Sequence, residues 1–150
     1  MSHPLLFVLA GGLIAGALDI LYACIFWALK ANVPPTRILQ SIAAGLLGKA
    51  SFQGGVGTAA LGLVLHFLIA LLMSGAYYLI ARHWSLLHRR PCLGGAAYGL
   101  VLYAVMNYVV VPLSAAGPGP YDPLWITLSI AAHVFLVGIP IAFFVRRALR

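Results

Sequence analysis

Four apolar runs, over residues 5–29, 57–81, 92–114 and 124–145, constrain this chain more than any other feature. Each meets or exceeds the roughly 20 residues that a helix rising 1.5 Å per residue needs to cross about 30 Å of hydrocarbon. Strands are excluded, because the runs lack period-2 alternation and are about twice the length of a barrel strand, and four strands cannot close a barrel. The sequence predicts an all-α membrane protein, with four transmembrane helices forming one bundle and one domain over residues 1–150.

Composition agrees. The AVILMFWYC set makes up 63% of the chain and charged residues 7%, against about 45–50% and about 25% for soluble domains, which excludes a water-soluble globule. Two acids, Asp19 and Asp122, face nine Lys and Arg, giving a net charge of +7. The cations lie between the apolar runs, not in a stripe interleaved with aromatics, so nucleic acid is not expected as a partner. Cys24 and Cys92 fall near opposite membrane faces, too far apart for a disulfide. The first run lacks a basic n-region and is too long for a secretory signal, so it reads as a retained span.

Between the first two runs, Pro34 and Pro35 precede an apolar-biased stretch too short to cross the membrane. A short interfacial or re-entrant helix over 36–49 is expected, with Thr36 as N-cap and Ile38, Leu39, Ile42 and Leu46 on its apolar face. Arg82, Arg89, Arg90, Arg146, Arg147 and Arg150 on one side outnumber Lys30, Arg37 and Lys49 on the other. The N- and C-termini are therefore expected in the cytoplasm, in a multi-pass arrangement. The third loop, 115–123, has no Lys or Arg, and Trp27, Trp84 and Trp125 lie at span ends as interfacial aromatics do.

Gly11-Gly12-x-x-x-Gly16 opens the first span and Gly94-Gly95-x-x-x-Gly99 the third, while His66 and His133 occupy corresponding places in the second and fourth. The halves read as tandem hairpins, the first carrying an inserted helix. The small-residue pairs Gly12/Gly16 and Gly95/Gly99 point to close helix packing within the bundle more than to a dedicated dimer face. Pro112 and Pro140 remove the amide partners of the Tyr108 and Leu136 carbonyls, so kinks are expected there.

Depth along each span exposes the polar residues. Counted from the non-cytoplasmic ends, Asp19 lies about 16 Å deep, His66 and His133 about 14 Å and Asn107 about 10 Å. Asp19 shares the face of Gly12 and Gly16, and His66 and His133 lie on small or polar faces, whereas Asn107 is rotated about 80° from Gly99. An ionisable group at mid-bilayer costs about 2.5–3.5 kcal/mol on insertion scales and usually pairs or lines a wet cavity. A buried Asp19/His66/His133/Asn107 layer is thus expected, suited to relaying protons, sensing pH or binding a ligand. The plainer alternative gives each residue an interhelical hydrogen bond worth about 0.6 kcal/mol. Two His and one Asp could hold a metal, but no H-x-x-x-H or C-x-x-C spacing supports one. No cofactor motif and no catalytic constellation is present.

The chain also resembles a known family. His66, Tyr77-Tyr78-x-x-x-Ala81, Gly95-x-x-x-Gly99, Val111-Pro112-Leu113, His133 and Arg146-Arg147-x-x-Arg150, with Gly12-Leu13-Ile14-Ala15-Gly16, look like the YagU-like family of bacterial inner-membrane proteins. The resemblance covers about two thirds of the chain. It implies a multi-span protein of the bacterial inner membrane with a role in acid survival, and supplies no catalytic residue. Asp19 and the short Pro/Gly-rich third loop depart from that family's pattern.

Two functional expectations follow. In the first, the polar layer serves proton-linked permeation or pH sensing, in a homodimer because the chain is short. In the second, the protein is a non-catalytic module in the lipid bilayer that binds a lipid or an apolar small molecule, or assembles with a larger membrane complex.

Overall fold

The computed structural model describes residues 3–117, 119 and 121–150; Pro118 and Pro120 of the cation-free third loop lie outside the described residues. The chain is all α-helical, with four spans: α1 (Pro4–Ala31), α3 (Gly55–Ala81), α5 (Pro91–Leu113) and α6 (Pro123–Ala148). Each overruns the expected limits by a few residues at one or both ends, save α5, which stops one residue short of Ser114. Between α1 and α3 lies α2 (Pro35–Leu47), followed by a 3₁₀ segment, Gly48–Gln53; α4 (Ser85–Arg89) is a single turn between α3 and α5. This is a multi-pass membrane protein.

Helix ends follow local chemistry. Asn32 takes the left-handed conformation (φ 52°), and the Asn32 and Val33 amides close on the Ala28 and Trp27 carbonyls, a Schellman-type stop. Pro34 then caps α2 and Pro35 occupies its first turn, so Thr36 is not the N-cap: Pro35 fixes a helical φ and needs no amide partner. Asp122 caps α6, its carboxylate accepting from the Trp125 amide at 3.0 Å.

Packing inverts the pattern of a soluble protein. Ala15, Ala59, Ala70, Ala81, Ala132, Ala142 and several glycines are buried, whereas Leu5, Leu21, Ile25, Leu72, Leu100 and Phe135 point outward. In lipid, outward apolar side chains need no cover, and association relies on small residues that let backbones approach. The helices stand in the order α3, α1, α6, α5, with α1 and α6 forming the centre through Val8, Ala15, Ile141 and Val145.

A β-carbon on Gly12 would lie 2.9 Å from Leu71 Cα, and one on Gly16 3.0 Å from Ala70 Cβ, so α1 and α3 touch through these glycines. On the other side, a β-carbon on Gly95 would stand 2.6 Å from Ile139 Cα and one on Gly99 2.7 Å from Val134 Cα. Both Gly-x-x-x-Gly pairs are occupied inside the chain.

The buried face of α2 differs from expectation. Gln40, Ala43 and Ala44 are buried, Ile38, Leu39 and Ile42 are half-buried, and Leu46 is exposed. The reason is a backbone approach to α3 so close that any side chain on Gly62 would overlap the Leu39 carbonyl. Only small residues fit such a seam, and Gln40 fits because its Nε2 donates to the Gly55 carbonyl at 3.0 Å. At its far end α2 reaches the end of α5, where the Ala115 amide donates to the Gly45 carbonyl at 2.9 Å.

The two prolines leave a defined mark. Before Pro112 the helix widens to i→i+5 bonding over Met106–Val110, and before Pro140 over His133–Gly138. A proline ring crowds the carbonyl four residues back, and a shift of hydrogen-bond register is one way a helix accommodates this without breaking.

Candidate functional site

The row α3–α1–α6–α5 curves around a cavity of about 270 Å³. Its back wall is α1 and α6, its sides are His66, Ile69 and Met73 of α3 and Met106, Asn107 and Val111 of α5, and Ile38, Ser41 and Ile42 of α2 cover one end. Toward the opposite end Tyr98 of α5 donates its hydroxyl to the Met73 carbonyl at 2.7 Å, and the Tyr77 and Tyr98 rings meet at 4.8 Å. Between these two closures α3 and α5 share few contacts and form facing walls of the cavity.

All four polar residues singled out in the sequence line this cavity, but the buried layer expected of them is not formed. Asp19, His66 and His133 are half-buried, Asn107 is exposed, and among the described residues no hydrogen bond joins any two of them. Each nitrogen-bearing side chain is instead engaged by a backbone carbonyl. His66 Nε2 donates to Gly16 at 2.8 Å, Asn107 Nδ2 to Tyr103 at 2.9 Å and His133 Nδ1 to Ser129 at 2.9 Å.

Asn107 and His133 stand at or near the start of the two widened segments and each bonds the carbonyl four residues back. Both carbonyls also accept a backbone amide, Tyr103 from Met106 and Ser129 from His133, so each side chain adds a second bond to an acceptor already paired. This commitment to the backbone was not readable from sequence, because the side-chain rotamer decides it.

Asp19 is different. It is the one acid within the spans, it faces the cavity, and no hydrogen bond or ion pair engages its carboxyl among the described residues. Of the cations at that end, Lys30 pairs with Asp122 and Arg37 lies 4.3 Å from the centre of the Phe52 ring. Among the described residues no three His, Cys, Asp or Glu side chains converge to hold a metal ion.

Sequence reasoning missed the aromatic wall. Trp27 and Trp125 read as interfacial residues, yet both line the cavity together with Tyr22. Tyr22 and Trp125 stack with centroids 5.5 Å apart and planes 6° from parallel, and Phe26 and Trp27 meet Trp125 at 5.0 and 5.3 Å. Beside them Tyr22 Oη and Ser129 Oγ are 3.5 Å apart. The available signal was the spacing of Tyr22 and Phe26, one turn apart on α1.

Comparison of the chain with protein-family models, curated proteins and solved structures finds no match.

Proposed function

We propose that this protein is a non-catalytic membrane module that holds a lipid-soluble small molecule in the cavity between α3 and α5. One observation carries the reading: a mostly apolar cavity with a few polar groups at mid-span is walled by α3 and α5, two helices that turn exposed apolar side chains outward. Such a shape matches small-molecule sites, which are concave, largely apolar and furnished with a few orienting polar groups, although its volume falls just below their usual range of about 300–1,000 Å³. A ligand dissolved in the bilayer would enter sideways, without crossing an aqueous mouth.

The test is quenching of cavity tryptophans by a brominated hydrocarbon in nanodiscs. In a Trp84→Phe background, which removes an exposed tryptophan away from the cavity, quenching of Trp27 and Trp125 is expected to saturate. Ala23→Leu, which fills part of the cavity, is expected to weaken it severalfold. Linear, non-saturating quenching unaltered by Ala23→Leu would refute the reading.

A second reading is favoured by the shared cavity of Asp19, His66, His133 and Asn107: proton-linked permeation or pH sensing, in keeping with the acid-survival role that the YagU-like resemblance implies. It requires water to bridge side chains that do not touch. Proton flux into dye-loaded proteoliposomes tests it: loss in His66→Ala, His133→Ala and Asp19→Asn supports it, and background flux in every sample removes it.

A further inference from the structure

We infer that the cavity selects a lipophilic organic ammonium ion, with Asp19 as its counter-ion and the Tyr22/Trp27/Trp125 wall against its cationic head. The inference rests on reading the cavity as a binding site and names the chemistry of the occupant.

Three observations converge. An acid at mid-membrane is costly and is normally paired, yet Asp19 faces the cavity with no hydrogen-bond or ion-pair partner among the described residues. The nearest cationic side chains along the sequence, Lys30 and Arg37, are taken up by Asp122 and Phe52. Tyr22, Trp27 and Trp125, whose rings attract cations through their negative faces, line the same cavity as the carboxyl. The remaining walls, including Ile20, Ile69, Met73, Met106 and Val137, are apolar and suit a hydrocarbon body.

His66 and His133 are the other titratable groups at the cavity, and each turns one ring nitrogen to a backbone carbonyl. Neither histidine forms a hydrogen bond or ion pair with Asp19. The ammonium could come from a free lipophilic amine or from an ethanolamine lipid headgroup. The structure favours the free amine, because a headgroup would bring its phosphate beside Asp19 while Lys30 and Arg37 are engaged elsewhere.

The experiment compares two probes of the same shape, 4-phenylbutyl-trimethylammonium and its uncharged tert-butyl carbon analogue. Binding is read from Trp27 and Trp125 fluorescence in Trp84→Phe protein reconstituted in phosphatidylglycerol nanodiscs. The ammonium probe is expected to bind saturably and at least tenfold more tightly than the neutral one, and Asp19→Asn is expected to abolish that preference while leaving neutral binding unchanged. Asp19→Glu, which keeps the charge, should restore it and guards against a folding defect in the Asn variant. Equal binding of both probes to native and Asp19→Asn protein would overturn the inference and leave the cavity as a neutral site. Failure of both probes to bind would overturn it together with the binding-site reading. Displacement of the ammonium probe by ethanolamine lipid at membrane-like fractions would assign the site to the headgroup and overturn the choice of a free amine.

Discussion

His66 Nε2 lies 2.8 Å from the Gly16 carbonyl, joining α3 to α1 at the level where Gly16 admits Ala70 and Phe67 against the α1 backbone. Because the carbonyl can only accept, Nε2 carries the proton, and the histidine acts first as a clamp between helices. Its truncation is expected to be mild. Interhelical hydrogen bonds in membranes average about 0.6 kcal/mol, so His66→Ala should lower stability by about that plus lost packing, read from unfolding in mixed micelles.

Glycines should divide sharply. Gly99→Ala places a β-carbon 2.7 Å from Val134 Cα and Gly95→Ala one 2.6 Å from Ile139 Cα, both against backbone that cannot swing aside. Each is expected to cost about 1–3 kcal/mol. Gly75→Ala meets nothing within 4 Å and should gain about 0.5–1 kcal/mol from helix propensity. Thermal unfolding followed by circular dichroism in detergent separates the two classes.

The Lys30–Asp122 pair sets an acid limit at one end of the molecule. The Lys30 hydrogen bond, aided by the Trp125 amide, holds the Asp122 carboxyl below the ordinary carboxylate range. With a folded value depressed below the unfolded one, its stabilisation is present above the ordinary carboxylate range of about 4 and is lost as pH falls through the lower folded value. Asp122→Asn should therefore lower the melting temperature near neutrality, and native and variant proteins should converge at strongly acidic pH.

The four spans were legible because length and apolarity decide them without reference to partners, as in 57–81 against the observed Gly55–Ala81. Their positions along the spans were enough to single out Asp19, His66, Asn107 and His133, which share one cavity without forming a buried layer. What they bond to was not legible. His66 turns to Gly16 because two glycine-bearing helices meet there, and His133 turns to Ser129 where its own helix widens. The buried face of α2 was misjudged because large apolar residues were taken as the packing face, whereas the seam with Gly62 admits Ala43 and Ala44. The aromatic wall needed α1 and α6 to be neighbours, a pairing that a single chain does not reveal.

The central claim is that lipid-dissolved molecules enter between α3 and α5, and photolabelling tests it most directly. A neutral, membrane-soluble diazirine is activated in proteoliposomes and the modified residues are mapped by mass spectrometry. The account predicts saturable labelling of the cavity residues Ile69, Met73 and Met106, reduced severalfold by Ala23→Leu, over a non-saturating background on outward residues such as Leu21 and Leu72. Labelling confined to the outward residues, with Ile69, Met73 and Met106 unmodified, would contradict it.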